Sequence, residues 1–379
     1  MYEEIYSFSN IKRAFYNSRH GKLNNPSANK FEINMLTECV KLSDELKYKN
    51  YSTGKSNTLR AIIVLADLLS GRSNVQSLLY NTASYDVEFL DDSTLYRYVL
   101  KYKNGIIISE LLSIDGIAKI DRSKSQMYFE QINSMLPVST EDYMVLAARR
   151  DSTQHSYLDK LYLWALRLSV YEFGSSMGKD IGVKDPKLVL KETVNLHLGN
   201  NPISKLLHGK RDIVNFENRI IEDFKRLKYD ITAIDVKGLN RPDIQGNVLT
   251  VQESCLRNYT DQFEMSQGMF RALALIIQIE YSIATKTPNC ILIDDIGEGL
   301  DYERSQELIN LIIERAEAFG LQVIMTTNDR FVMNAIDIKY WNIISRSGKD
   351  ITFYNINNSS ETFANFRMMG LNNFEFFHS

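Results

Sequence analysis

The stretch NCILIDDIGEGLDYERS, from Asn289 to Ser305, decides the fold class of this chain. It opens with the short apolar run 290–293, which is typical of a strand buried on both faces of a parallel sheet. Two adjacent carboxylates, Asp294 and Asp295, end that run. Because open α/β sheets bind ligands at the carboxyl ends of their strands, the two acids are candidates for a ligand site.

A helix and a second buried strand follow the acidic pair. The helix has apolar residues at helical spacing and ends at a glycine: Leu308, Ile309, Ile312, Ile313, Ala316 and then Gly320. The run 321–325 predicts a buried strand, which ends in the polar segment Thr326-Thr327-Asn328-Asp329. The order strand, helix, strand predicts a parallel crossover with polar side chains at both carboxyl ends.

The acidic pair has two alternative interpretations. In a nucleoside triphosphatase, Asp294 would bind Mg²⁺, usually through water, and Asp295 would orient the attacking water. A side chain that senses the γ-phosphate would then belong at the second strand end, where Asn328 or Thr327 fits. Alternatively, the strand end is acidic and has no catalytic role.

The helix before this strand is apolar nearly all round. It is contained in EMSQGMFRALALIIQIEYSI, from Glu264 to Ile283, and this pattern predicts a helix in the core. Ser266 and Gly268 stand at its beginning, where backbone N–H groups point outward and favour a phosphate. The alternative is an ordinary helix cap with no ligand.

The segment YKNYSTGKSN, from Tyr48 to Asn57, matches the second half of a phosphate-binding loop. Gly54, Lys55 and Ser56 fit the motif Gly-x4-Gly-Lys-Ser/Thr, in which the lysine binds phosphates and the hydroxyl binds Mg²⁺. A helix with apolar residues and a glycine stop follows: Leu59, Ile62, Ile63, Ala66, Leu69 and Gly71. Lys49 occupies the position of the first glycine. The segment is therefore either a functional phosphate loop or one that derives from a phosphate loop and no longer functions as one.

These motifs, in this order, resemble the ABC-class ATPase heads related to the SMC and RecF proteins. Within this class, the sequence especially resembles the compact prokaryotic AAA-type ATPases of defence and DNA-repair systems. MSQGM is similar to the signature motif, ILIDDIGEGLD to the Walker B motif and D-loop, and TTNDRF fills the switch position. The resemblance covers about Gly54 to the C-terminus and is strongest over residues 262–346.

The resemblance implies ATP and Mg²⁺ as cofactors and a role for each matching residue. The metal ligands would be Ser56 and Asp294, and the catalytic residues Asp295 and Asn328, with Glu298 as either a substitute base or a solvated loop glutamate. The residues that would bind the nucleotide are Gly54, Lys55, Ser56, Asn57, Ser266, Gln267, Gly268 and Asp301. Ser266–Gly268 would act on the ATP of a second subunit in a head-to-tail homodimer.

Two departures from the family pattern predict slow or impaired hydrolysis. Asp295 stands where relatives carry glutamate, so its carboxylate sits back by roughly 1.5 Å, and a misplacement of this size costs about 10²-fold in rate. Asn328 stands where many relatives carry histidine. It can donate a hydrogen bond to a phosphate oxygen, but it carries no charge.

The fold implied is α/β, a P-loop NTPase of the ABC-ATPase type with an antiparallel β subdomain and a helical insertion. Alternating residues from Tyr85 to Asp121, with turn signals at DD and KNG, predict the antiparallel sheet. Helices are predicted around 157–173 and 212–231, and loops at 174–187 and 198–212. The predicted ranges are 1–54 for a mostly helical N-terminal segment, 55–135 for the phosphate-loop helix and sheet, 136–260 for a helical insertion or lid, and 261–379 for the remaining ATPase motifs.

The N-terminal segment, residues 1–54, resembles the opening of bacterial reverse transcriptases of the group II intron and retron type. From Asn10 to Lys30 it has five Lys or Arg residues and no acid, which favours contact with nucleic-acid phosphates. The resemblance ends before the polymerase palm would begin, so no polymerase activity is expected. We interpret the segment as joined to the ATPase at the shared Thr-Gly-Lys, where it replaces the first strand and loop.

A second basic cluster lies further along the chain. Lys205, His208, Lys210 and Arg211 fall in the predicted loop 198–212. The cluster either contacts nucleic-acid phosphates or forms an ordinary solvated face.

Composition limits the classes of partner. The 379 residues include 44 Lys and Arg against 47 Asp and Glu, with a net charge of −3, which argues against strong nonspecific binding of nucleic acid. No stretch approaches the ~18 apolar residues of a membrane span. The three scattered cysteines predict buried thiols in a reducing cytoplasm. Besides the homodimer, the resemblance implies a separate effector protein, and the alternative function is a non-hydrolysing scaffold or nucleic-acid-binding protein.

Overall fold

The computed structural model describes residues 54–137, 143–149, 151–192, 202–241, 244–286, 290–347 and 350–369. The chain forms two compact units, the first from residues 1–55 and 342–354 and the second from residues 56–341 and 355–379. The predictions for Lys49, Cys39 and the reverse-transcriptase-like segment fall outside the described residues.

The second unit begins with a helix and a six-stranded antiparallel sheet. The helix is α1 (Lys55–Ser70), whose first residue belongs to the first unit, and the strands are β1 (Ala83–Asp91), β2 (Thr94–Lys103), β3 (Ile106–Ile114), β4 (Ile117–Asp121), β5 (Gln126–Phe129) and β6 (Ser134–Pro137). They pair in sequence order. Asn104-Gly105, in the predicted KNG turn, has positive φ at both residues, as a tight hairpin turn requires. The predicted antiparallel sheet is confirmed and extends to residue 137.

Short helices and a strand follow. They are α2 (Val145–Ala148), α3 (Ser152–His155), α4 (Asp159–Arg167), β7 (Ser169–Glu172) and α5 (Pro186–Val189). The prediction of helix through 157–173 is wrong in its second half, because the helix ends at Arg167 and β7 joins a parallel sheet. A short apolar run fits a buried strand as well as a helix, and pairing between strands decided the outcome.

Two helices and a second antiparallel sheet come next. They are α6 (Pro202–Asp212), α7 (Phe216–Arg226), β8 (Ile231–Arg241), β9 (Ile244–Glu253) and β10 (Thr260–Asp261), with sheet order β10-β9-β8. The range 136–260, predicted to be a helical insertion or lid, contains strands β7 to β10 as well as helices. Its boundaries as a domain stay a prediction.

The predicted loop 198–212 and its basic cluster also need correction. Residues 202–212 form α6, since the apolar positions of this segment face the core. Lys205 and His208 are buried, with 1% and 4% of their surface exposed. Lys210 pairs with Glu217, and Arg211 pairs with Asp212. Burial of Lys205 and His208 therefore divides the predicted cluster, and only Lys210 and Arg211 are exposed, each in an ion pair.

The predicted crossover is confirmed. It consists of β11 (Cys290–Asp294), α9 (Tyr302–Phe319) and β12 (Gln322–Met325), follows α8 (Gln267–Thr285), and has β11 parallel to both β12 and β7. β12 was predicted to be buried, but it is only partly buried. Ile291 and Ile293 pack in one hydrophobic cluster with α8, and Cys290 and Leu292 pack in a second cluster with α1 and the antiparallel sheet. β11 is thus buried on both faces, and α8 is buried along nearly its whole length, as predicted.

The remaining elements are α10 (Arg330–Ala335), β13 (Ile343–Ser347), β14 (Asp350–Tyr354) and α11 (Ser360–Met369). β13 and β14 form an antiparallel hairpin in the first unit. Gly54, in the same unit, packs against it, since a Cβ on Gly54 would lie 3.0 Å from Ile344 Cγ2.

Two predictions from composition can be compared with the structure. Among the described residues, Cys290 is buried but Cys255 is exposed, so the prediction of buried thiols holds for one of these two. Within the described ranges, no helix is long and apolar enough to cross a membrane.

Candidate active site

The carboxyl end of β11 lies against the segment that follows β12. The Thr326 hydroxyl donates a hydrogen bond to Asp294 Oδ1, and the Thr326 amide bonds to the Ile293 carbonyl at 2.9 Å. Thr326 is 8% exposed, so the Asp294 oxygen is anchored from inside the protein. Parallel pairing of the two strands brings these residues together, because their carboxyl ends meet at one edge of the sheet.

Asp295 and Asn328 also meet at this edge. Asn328 Nδ2 lies 3.5 Å from Asp295 Oδ1, at the limit of a hydrogen bond. The Asp295 amide donates to Thr326 Oγ1 at 3.1 Å. Asp295 has φ +55°, a left-handed conformation that aspartate and asparagine adopt more readily than other residues with a side chain. This backbone conformation gives a physical reason for aspartate at this position in place of glutamate.

Glu298 approaches the same place from the loop after β11. A Cβ on Gly174, which follows β7, would lie 2.6 Å from Glu298 Oε2 and 3.5 Å from Asp295 Oδ2. The missing side chain of Gly174 therefore leaves the space in which the Glu298 carboxylate lies. The Glu298 side chain is 58% exposed, so it reaches solvent while it neighbours Asp295.

The turn Ser266–Gly268 begins the buried helix α8. Ser266 caps the helix by accepting a hydrogen bond from the Met269 amide at 3.1 Å, and Ser266 and Gln267 are exposed. Gly268 lies against the loop after β11, because a Cβ there would be 2.2 Å from the Gly299 carbonyl oxygen. Ser266 therefore caps the helix, and whether it also binds a phosphate stays a prediction.

Asp301 serves a local structural purpose. It caps α9 by accepting a hydrogen bond from the Arg304 amide at 3.0 Å, and it forms an ion pair with the Arg304 side chain. The amide hydrogen bond and the guanidinium together lower the pKa of Asp301. The predicted role of Asp301 at a nucleotide stays a prediction.

The phosphate-loop residues lie at the start of α1, as the motif predicts. The helix begins at Lys55, which is half-buried, and Ser56 and Asn57 are exposed in its first turn. Gly54 and Lys55 belong to the first unit, and Ser56, Asn57 and the acids after β11 belong to the second. A lysine and a hydroxyl on the first turn of a helix suit an anion, because the backbone N–H groups there have no partner within the helix.

The interpretation of the sequence missed three residues in this region. Thr326 was named only as part of a polar segment, although it bonds to Asp294. Gly174 was placed in a loop, without a role. Arg271 is buried in α8 and donates hydrogen bonds to the loops after β7 and β11. The available signal was a positive charge at residue 271 in a helix that is apolar nearly all round.

The chemistry of the site suits a magnesium ion held with phosphates. Within the described residues, no group of three or more His, Cys, Asp or Glu side chains could enclose a metal. Mg²⁺ at triphosphate sites is bound through one or two carboxylates, phosphate oxygens and water, so it needs no such cage. Asp294 supplies a carboxylate whose Oδ1 is fixed by Thr326, and this arrangement fits such an ion.

Comparison with known proteins finds similarity only among solved structures. No protein-family model and no curated protein matches the chain. An SMC head bound to the C-winged helix domain of ScpA is 17% identical, with a TM-score of 0.46, over 82% of this chain and 90% of that one. The SMC head domain from Thermotoga maritima is 10% identical, with a TM-score of 0.37, over 72% and 74% of the two chains.

A third similar structure comes from Pyrococcus furiosus. It is an Smc head domain with an extended coiled coil, bound to the C-terminal domain of ScpA, and it is 13% identical. Its TM-score is 0.33, over 73% of this chain and 76% of that chain.

Proposed function

We propose that the protein binds Mg²⁺ and ATP and hydrolyses ATP slowly. One observation carries the proposal: the segment after β12 contacts both carboxylates that follow β11, Thr326 at Asp294 and Asn328 at Asp295. A metal-binding acid, a water-activating acid and a phosphate-sensing amide are the groups that phosphoryl transfer to water requires.

Each residue at the sheet edge has a proposed task. Asp294, with its orientation fixed by Thr326, would hold the metal ion, which would supply positive charge for the phosphates. Asp295 orients the attacking water and accepts its proton, and Glu298 is the second carboxylate available for this. Asn328 donates its amide hydrogen to a phosphate oxygen.

The sequence prediction for the phosphate loop completes the proposal. Lys55 would bind the β- and γ-phosphates and Ser56 the metal ion, with Gly54 and Asn57 contributing backbone N–H groups. Support comes from the motif and from the start of α1 at Lys55. Lys49, in place of the first glycine, supports the alternative function of a scaffold that binds a partner without turnover.

The proposal extends to a head-to-tail homodimer around ATP. Ser266 and Gln267 are exposed at the start of a 19-residue helix, where backbone N–H groups favour a phosphate of the second subunit. Asp301 would lie near the same interface. Nucleotide would then hold two subunits together, and hydrolysis would release them. A role as sensor or motor in phage defence or DNA repair, with a separate effector, follows from the resemblance alone.

Steady-state hydrolysis tests the proposal. Wild type should release phosphate from ATP in the presence of Mg²⁺, and Lys55→Ala and Asp295→Asn should each lower kcat by about 10²-fold or more. Arg226→Gln, which changes a surface ion pair with Glu314, is the matched control and should keep the wild-type rate. Equal rates near zero for wild type and both site variants, without nucleotide binding, would favour the scaffold.

A further inference from the structure

Arg271 has an unusual environment for a charged side chain. It lies in the first half of α8 with 3% of its surface exposed, and burial lowers its pKa. Taking a guanidinium out of water is costly unless hydrogen bonds and charges compensate. The side-chain hydrogen bonds of Arg271 supply this compensation, and their partners show what the residue holds in place.

All three of its hydrogen bonds go to backbone carbonyl oxygens of two loops. Nε donates to Ser175 at 2.8 Å and Nη2 to Gly174 at 2.5 Å, both after β7. Nη1 donates to Glu298 at 2.9 Å, in the loop after β11. The planar guanidinium thus joins the two loops in one fixed geometry, which a flexible lysine ammonium does not impose.

The loop after β11 is also confined from its other sides. Nη1 of Arg271 lies 3.8 Å from Glu298 Oε1, and a Cβ on Gly299 would lie 3.2 Å from the same nitrogen. Gly268 approaches Gly299, and Gly174 leaves room for the Glu298 carboxylate. Arg271 therefore holds the backbone of Glu298, whose carboxylate lies beside Gly174, as the Asp295 carboxylate also does.

We propose that Arg271 is a positioning residue, which fixes the Glu298 carboxylate near Asp295 through its hydrogen bonds to the loops after β7 and β11. The inference rests on the proposed hydrolysis of ATP and deepens it. Arg271 touches neither nucleotide nor water in this role. Because it lies on the same helix as Ser266–Gly268, it also links that turn to the two acids.

The first test needs no nucleotide. Arg271→Gln should speed hydrogen exchange of the backbone amides of residues 295–300 by about tenfold, since local opening becomes easier. Arg271→Lys should give an intermediate increase in the exchange rate, because lysine keeps the charge but lacks the planar guanidinium that donates to both loops. Arg226→Gln, at a surface ion pair, should leave exchange in 295–300 unchanged. Unchanged exchange in Arg271→Gln would overturn the proposal.

The second test uses the reaction. Arg271→Gln should lower kcat by about 10- to 100-fold, the effect expected of a misplacement near 1 Å, with KM within about twofold of wild type. In a Glu298→Gln background the same change should have little further effect, since it acts through that carboxylate. An equal loss in both backgrounds would overturn the proposed route through Glu298.

Two further measurements keep the outcomes distinct. If wild type neither binds nor hydrolyses ATP, the proposed function fails, and the exchange experiment still decides whether Arg271 fixes the loop. If Arg271→Gln does not fold, Gly174→Ala provides the test, because its Cβ would displace the Glu298 carboxylate while Arg271 stays in place. Gly174→Ala should lower kcat of an active wild type by about 10-fold or more, and an unchanged kcat would overturn the proposal.

Discussion

Thr326 donates its hydroxyl hydrogen to Asp294, so the strand end that carries the proposed metal ligand is fixed by the neighbouring strand end. The same hydroxyl accepts a hydrogen bond from the Asp295 amide at 3.1 Å. One buried side chain therefore orients both acids of the pair. This dual contact makes Thr326 as informative a position for mutation as the acids themselves.

We expect Thr326→Val to lower the free energy of unfolding by about 1–3 kcal/mol, because the change keeps the shape and leaves a buried donor and acceptor unpaired. Mg²⁺-dependent ATP binding should weaken as well, since Asp294 loses its anchor. Urea denaturation and calorimetric titration measure the two effects. Thr326→Ser keeps the hydroxyl, so its free energy of unfolding and its affinity for ATP should fall less than those of Thr326→Val. A valine variant with wild-type stability and wild-type affinity would refute this role of Thr326.

Asp295→Asn should separate chemistry from folding. Asparagine tolerates the positive φ of this position, so the free energy of unfolding should change by less than about 0.5 kcal/mol. The rate of hydrolysis should fall by about 10²-fold or more, because the amide cannot accept a proton. Asp295→Glu should instead destabilise by about 1 kcal/mol, because glutamate is poorly suited to this backbone conformation. Equal stability of the glutamate and asparagine variants would contradict the backbone argument.

Gly268→Ala should be among the most damaging changes in α8. The added Cβ would meet the Gly299 carbonyl oxygen at 2.2 Å, and a backbone atom cannot move aside as a side-chain end can. We expect a loss of about 3 kcal/mol, the upper end for overpacking, in thermal or urea unfolding. Gly71→Ala is the control, because Gly71 has φ +73° and an added Cβ there would have no atom within 4 Å. Its free energy of unfolding should fall by only about 1 kcal/mol. A smaller loss for Gly268→Ala than for Gly71→Ala would be inconsistent with the close approach.

A buried charge cluster between α7, α8 and α9 should make stability depend on pH. Glu280 is 2% exposed and lies 3.1 Å from Arg315 and 3.4 Å from Arg219. Burial, and then the negative charge of Asp223, raise the pKa of Glu280 to about 7. Because the folded state binds the proton of the Glu280 carboxyl more tightly than the unfolded state does, protonated Glu280 adds to the free energy of unfolding. This contribution is fully present below the unfolded pKa of about 4.5 and is lost as pH rises through about 7.

Glu280→Gln tests the sign of this effect. The glutamine variant should gain stability relative to wild type as pH rises from about 5 to about 8, measured by urea denaturation at each pH. Glu314→Gln is the control, because the hydrogen bond from Arg226 lowers the pKa of Glu314. The difference in free energy of unfolding between Glu314→Gln and wild type should stay constant over the same pH interval. If the difference between Glu280→Gln and wild type is also constant, the pKa of Glu280 is not raised.

Strong periodic patterns in the sequence predicted much of the fold correctly. The apolar run 290–293, the helix up to Phe319 and the run 321–325 form the predicted crossover. The hairpin turn at Asn104-Gly105 also agrees with the sequence signal. Errors fell where short segments fit two structures. β7 was interpreted as the end of a helix, and α6 as a loop, because pairing with β11 and packing of Leu206 depend on distant residues.

The sequence predicted which residues form the candidate site better than it predicted the hydrogen bonds and close contacts between them. The acids after β11 and the amide at Asn328 follow from strand ends, which local sequence can indicate. The hydrogen bonds of Arg271 span about a hundred positions of the chain in two of three cases, so no local pattern carries them. Thr326 and Gly174 were missed for the same reason, since their roles depend on what the neighbouring strand brings to them.

Calorimetric titration of the full chain with ATP and Mg²⁺ tests the central claim most directly. The account predicts binding by wild type and a loss of about tenfold or more in affinity for both Lys55→Ala and Asp294→Asn, because the amine binds phosphate and the carboxylate binds the metal ion. Removing Mg²⁺ should weaken wild type and leave Asp294→Asn nearly unchanged. Wild type that binds no nucleotide, or binding that is the same in all three proteins, would contradict the account.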